Sequence, residues 1–181
     1  MRKVSKSAAF RDLLRFLLLT GQRRVETAQM KWADVHLEGY TSADGATYEG
    51  PTWVIPAASA KMARAQHVPL GSMSVELLKA QHRYAGTDLV FVGNTHSPIT
   101  GWTSRLLPVR QALGLPDLAP QALRRSYRTG LSEIGVPEPL AETMIAHKRK
   151  DIVALYDFSE LWGQRIDAQA KWESYIAEVT A

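Results

Sequence analysis

The chain of 181 residues contains 22 Lys and Arg, 18 Asp and Glu, 45% hydrophobic side chains and no cysteine. That hydrophobic share supports a packed core and excludes a disordered chain, and the length suits a single domain over residues 1–181. Without cysteine there is no disulfide framework, no cysteine-ligated zinc and no thiol nucleophile, which fits a reducing cytoplasm.

The opening stretch MRKVSKSAAFRDLLRFLLLT has an apolar run broken by Arg11, Asp12 and Arg15, and reads as neither a signal peptide nor a membrane span. Phe10 to Leu19 reads as a buried helix, interrupted at Thr20-Gly21. RRVETAQMKWADV resumes a helical pattern, with Val25, Ala28, Trp32 and Val35 at three- and four-residue spacings. Residues 38–51, with three glycines and Pro51, read as turns. TWVIPA and AQHVPL are short, β-branched and bounded by Pro or Gly. They read as two strands of a small antiparallel sheet, with ASAKMAR as the hairpin between them. SVELLKAQHRYA reads as a helix, DLVFV as a further short strand, residues 93–101 as a loop, and 102–113 as a helix ending near Gly114. Past a proline-flanked loop come two more helical segments. QALRRSYRTGLSEIG stops at Gly135-Val136-Pro137, and PLAETMIAHK follows. Tyr156 falls in a third short segment, and an amphipathic helix runs from about 163 to 179. The expected fold class is α+β, mainly helical, with a small antiparallel sheet near the N-terminal third.

Charge is unevenly placed. Residues 1–30 hold seven Lys or Arg against two acids, and residues 101–130 hold five Arg against Asp117 alone; residues 151–181 reverse the balance. Clustered positive charge suits a polyanionic partner, of which nucleic acid is the commonest, and equally describes a solvated basic surface. Four segments carry polar residues that the helix and strand patterns do not require. In TGQRRVE, Glu26 lies three positions after Arg23, on the same helical face, where it can hold the guanidinium or simply form a surface ion pair. In SAKMAR, Lys61 occupies a hairpin tip, from which it can reach a phosphodiester or sit in solvent. In QALRRSYRTG, Leu123, Tyr127 and Leu131 form the buried stripe, and Arg124 stands at its border, suited to bidentate phosphate contact. In IAHKRKDIVALY, His147 lies near a helix C-terminus, where the dipole favours its protonated form, and Tyr156 follows nine residues later.

In their order and spacing these segments resemble the catalytic domain of tyrosine recombinases, and look most like phage-type or prophage-type integrases. The family's first box, Thr-Gly-x-Arg-x-x-Glu followed by Trp-x-Asp, is matched by TGQRRVE with Trp32 and Asp34. The hairpin lysine is matched by Lys61, ahead of HVPL. A second box like HDLRRTFATRLAELGV is matched by QALRRSYRTGLSEIGV, and a Leu-Gly-His element by IAH ending at His147. The resemblance runs roughly from Ala8 to Trp172. It departs at Gln121, where the family usually has histidine, and at Ala146, where it usually has glycine.

The resemblance implies that Tyr156 attacks a DNA phosphodiester, giving a 3′-phosphotyrosyl enzyme and a free 5′-hydroxyl, with no cofactor and no metal. It implies that Arg23 and Arg124 hold the non-bridging oxygens, that His147 donates a third hydrogen bond, and that Lys61 protonates the departing 5′ oxygen. Gln121 would orient the phosphate or the tyrosine, but it cannot accept a proton near neutral pH. Glu26 would buttress Arg23. The implied partner is double-stranded DNA, bound by a homotetramer, with the domain alone monomeric. The terminal helix, with Ile166, Ala170, Trp172, Tyr175, Ile176 and Val179, would pack on its own core or on a neighbouring subunit. Residue 1 lies almost at the start of the catalytic pattern, so N-terminal DNA-binding domains are expected to be absent. Two other readings stand beside the recombinase: a catalytically impaired DNA-binding relative of the same fold, which Gln121 favours, and a type IB topoisomerase-like enzyme.

Overall fold

The computed structural model describes residues 6–61, 64–147 and 161–181. It is mainly helical with a small antiparallel sheet. The first helix, α1 (Lys6–Thr20), buries Phe10, Leu13, Phe16 and Leu17 at helical spacing. It ends at Gly21, whose φ of 64° lets its N–H return to the Leu17 carbonyl at 2.9 Å. A side chain there would fare badly for a second reason: a Cβ would lie 2.2 Å from the Tyr127 ring.

The helical pattern expected to run on through Trp32 and Val35 does not persist. Helix α2 (Arg24–Ala28) is little more than one turn. Val25 is 53% exposed, so its apolar spacing does not mark a buried face. Trp32–Asp34 forms a 3-10 turn, and Val35 enters strand β1 (Val35–His36) instead. Pairing with the sheet overrides helical propensity here. β1 lies beside β4 (Thr52–Ile55), which pairs with β5 (Gln66–Pro69), all antiparallel; Trp53 faces Val35 on one side and Val68 on the other. Between β1 and β4, the stretch expected to be only turns contains a two-stranded ribbon, β2 (Tyr40–Thr41) with β3 (Thr47–Tyr48). The hairpin between β4 and β5 carries Lys61; Met62 and Ala63 of that hairpin lie outside the described residues.

Helix α3 (Ser72–Lys79) is shorter than its sequence pattern, and DLVFV makes two isolated bridges, Leu89 with Lys31 and Val92 with Pro98, rather than a strand. Helices α4 (Trp102–Leu113), α5 (Pro120–Glu133) and α6 (Glu138–Met144) follow, and α7 (Trp162–Val179) closes the chain.

Two apolar cores result. One packs Phe10, Leu13 and Phe16 against Trp53, Ile55, Val68 and Phe91. The other gathers Leu19, Tyr127, Leu131, Met144, Trp172 and Ile176. Helix α1 contributes to both. Helix α7 therefore packs on this chain's own core, through Trp172 and Ile176, whereas Ala170 and Val179 are exposed. Three polar residues share its buried face. Glu173 accepts hydrogen bonds from the N–H groups of Met73 and Ser74, capping the start of α3. Gln169 donates to the Leu19 carbonyl and accepts from the Tyr127 hydroxyl at 2.9 Å each. Arg165 donates to the His67 carbonyl and lies 5.1 Å from the centre of the Trp162 ring.

Candidate active site

A cleft of about 970 Å³ opens where α2, the β4–β5 hairpin, α5 and the end of α6 meet. Arg23, Glu26, Lys61, Gln121, Arg124 and His147 all line it. These are all the site residues expected from the sequence except Tyr156, which lies outside the described residues. Arg24, Arg125, Arg128 and Glu142 line it as well. The result is a concave surface rich in guanidinium donors, suited to an anion with several oxygens.

Arg124 occupies the buried face of α5 rather than its border. Only 6% exposed, it follows the spacing of Tyr127 and Leu131. Its Nη1 donates to the Gly21 carbonyl at 2.8 Å, and its Nη2 to the Ile145 carbonyl. Burial, followed by the positive charge of Arg23, lowers its pKa to about 10, while Glu26 and Glu142 pull the other way. It is therefore still charged at neutral pH. Arg23 is held by Glu26, 3.5 Å from Nη1, and by the Ala146 carbonyl, 3.4 Å from Nη2. The same Glu26 oxygen accepts the backbone N–H of Lys61 at 3.1 Å, so one buried carboxylate fixes both an arginine and the hairpin that carries the lysine. The Lys61 side chain itself is exposed.

The last turn of α6 explains why its carbonyls are available. The N–H of His147 returns to the Glu142 carbonyl and that of Ala146 to the Thr143 carbonyl, an αL helix stop. The left-handed residue in this stop is Ala146, with φ of 46°. Helices α4 and α5 end in the same way with glycine, Gly114 and Gly135. An L-residue in that region costs about 1–2 kcal/mol, partly offset by the extra freedom of glycine when unfolded. Ala146→Gly should therefore stabilise the chain by up to about 1 kcal/mol, seen calorimetrically as a melting temperature about 2–4 °C higher.

Beyond that stop, His147 places Nδ1 2.6 Å from Glu142 Oε2, while Arg128 Nε lies 2.5 Å from Glu142 Oε1. Burial opposes ionisation of Glu142, but hydrogen bonds from Arg128 and His147 outweigh it and hold the carboxyl below its ordinary pKa. Among the described residues, no group of three or more His, Asp or Glu side chains is gathered as a metal site requires. No helix among them is long and apolar enough to cross a membrane.

Residues 1–160 match the sequence model of the phage integrase family. The chain belongs to that family. The prophage integrase IntA of Escherichia coli (strain K12) is 28% identical over 180 residues, 97% of this chain and 41% of IntA. This phage integrase family chain thus spans less than half the length of that relative. Its fold is that of the XerH site-specific recombinase in a pre-cleavage complex with its difH substrate, with a TM-score of 0.60 at 20% identity, over 90% of this chain and 45% of XerH. A lambda integrase fragment (75–356), a dimer bound to a core site, gives a TM-score of 0.50 at 19% identity, over 82% and 53% of the two chains.

Sequence reasoning missed two parts of the integrase-family cleft. Gln22, the unspecified position of the Thr-Gly-x-Arg box, is fully buried. It donates to the Thr20 and Met144 carbonyls at 2.8 and 2.9 Å and accepts from Gln66 at 2.8 Å, stitching α6 to the sheet across the cleft floor. The Arg128–Glu142 pair was missed because its members lie fourteen positions apart on different helices.

Proposed function

We propose that this chain is the catalytic domain of a site-specific DNA recombinase, which cleaves and rejoins DNA through a 3′-phosphotyrosyl intermediate. The observation that carries the reading is the cleft itself: Arg23, Lys61, Gln121, Arg124 and His147, from four separate segments, line one basic concavity. In this reading the two anchored guanidiniums hold the non-bridging oxygens of a DNA phosphate and stabilise the charge that develops as phosphorus becomes pentacoordinate. Tyr156 supplies the attacking oxygen, Lys61 protonates the leaving 5′ oxygen, His147 donates to the phosphoryl group, and Gln121 orients the phosphate or the tyrosine. Energy of the broken P–O bond is conserved in the phosphotyrosine, so rejoining needs no nucleotide and no metal. Double-stranded DNA is the substrate, four copies act together on it, and the protein works in the cytoplasm. The recombinase neighbours with DNA in their complexes support the choice of substrate.

Trapping the covalent intermediate tests this. On nicked suicide duplexes drawn from its genomic flanks, the protein should give a shifted band on denaturing gels that a Tyr156→Phe protein does not. A band that survives in Tyr156→Phe would overturn the assignment of the nucleophile. Gln121 favours a second reading, a DNA-binding relative with impaired chemistry. DNA binding without any adduct, and adduct restored by Gln121→His, would support it.

A further inference from the structure

His147 is exposed over 66% of its side chain, so packing alone does not fix its ring. What fixes it is Glu142, only 14% exposed and engaged through both oxygens: Oε2 with His147 Nδ1 and Oε1 with Arg128 Nε. Arg128 is in turn steadied by Ser132, whose Oγ lies 2.6 Å from Nη1. The order of the chain is helix α5, arginine; helix α6, carboxylate; cleft, histidine. A carboxylate can only accept hydrogen bonds, so its contact with Nδ1 requires a proton on that nitrogen. Nε2 is then the ring nitrogen left for a ligand in the cleft, as in other carboxylate–histidine pairs where the second nitrogen does the chemistry.

We propose that Glu142, braced by Arg128, is a positioning residue for the reaction: it takes the Nδ1–H of His147 and so turns Nε2 toward the cleft, where the ring donates to the phosphate once Nε2 also carries a proton. This rests on the recombinase reading only for the identity of the ligand. The hydrogen bonds that keep Glu142 ionised come from the same two residues, so the brace is self-consistent. The other charges lining the cleft, Arg23, Arg24, Lys61, Arg124 and Arg125 with Glu26, make no hydrogen bond to Glu142 among the described contacts. The anionic phosphate therefore meets an imidazole whose negative neighbour lies on its other nitrogen.

Two measurements test this on the full chain. Long-range 1H–15N spectra of the imidazoles, with His147 assigned by loss of its signals in His147→Gln, report which ring nitrogen carries the proton. We expect Nδ1 protonated in the wild type at neutral pH, loss of that preference in a folded Glu142→Ala protein, and retention in Glu142→Gln, whose amide oxygen still accepts. In the trapping assay, Glu142→Ala should slow adduct formation by about tenfold or more, the range set by carboxylates that orient functional histidines. It should have no further effect in a His147→Ala background. An unchanged ring signal in Glu142→Ala, or an equal loss with and without His147, overturns the inference. Absence of adduct in the wild type would count against the recombinase reading, and the spectra would still decide the role of Glu142.

Discussion

A Gly130→Ala protein should melt about 4–8 °C below the wild type, a loss of about 2 kcal/mol, although alanine is the better helix former by about 1 kcal/mol. Gly130 lies on the buried face of α5, and a Cβ there would stand 2.1 Å from Cζ3 and 2.8 Å from Cη2 of Trp172. The indole cannot simply retreat. Its Nε1 donates to the Leu18 carbonyl at 3.2 Å, and its ring meets Tyr127 edge-on at 5.4 Å. The helices must therefore separate, and α7 loses its seat on α5. Scanning calorimetry measures the loss. Pairing the change with Trp172→Leu should cost less than the two single changes added, because the second change removes the collision that the first creates. A Gly130→Ala protein as stable as the wild type would show that α7 is not docked as described.

Arg124→Lys should reduce adduct formation by about 10²–10³-fold while leaving the fold in place. The guanidinium reaches two backbone carbonyls from separate segments, Gly21 and Ile145, and still has N–H groups to offer a phosphate; an ammonium offers three donors from a single point. Charge matters as much as reach. The surroundings lower the arginine from 12.5 to about 10. Burial and the neighbouring charge of Arg23 would depress a lysine there too, and from a lower starting value than arginine's. Such a lysine is charged below its pKa and neutral above it. Residual cleavage by the variant should therefore fall as pH rises above neutrality, beyond any trend in the wild type. Rates of adduct formation from pH 6.5 to 9.5 would measure this. A loss of less than tenfold, or a residual rate independent of pH, would remove Arg124 from phosphate contact.

The parts of this molecule legible in its sequence are those written locally. The buried stripe of α1, the Gly-Val-Pro stop of α5, and the β-branched runs of β4 and β5 all carry their instructions within a few residues. The four boxes likewise identified every described residue expected in the cleft, because their spacing follows the helices and the hairpin that carry them. What stayed hidden depends on distant partners. Val35 reads as one more position of a helical face until Trp53 is placed beside it. Arg165, Gln169 and Glu173 read as the polar side of an amphipathic helix. Their burial makes sense only when the His67 carbonyl, the Leu19 carbonyl and the start of α3 are brought against them. Arg124 reads as a border residue because a charge inside an apolar stripe is expensive unless its partners are known, and both partners are carbonyls from other segments.

Those carbonyls bear on how such a site tolerates inherited change. Arg23 and Arg124 are both tied to main-chain oxygens, of Gly21, Ile145 and Ala146, which every amino acid possesses. Replacement of the Ile145 side chain alters packing but cannot delete the acceptor. Lineages can thus drift at the end of α6 and keep the two guanidiniums aimed, so long as the helix stops at the same residue. The vulnerable event is a shift in where the chain turns: an insertion, a deletion or a proline near 143–146 would misdirect Arg23 and Arg124 at once without touching either.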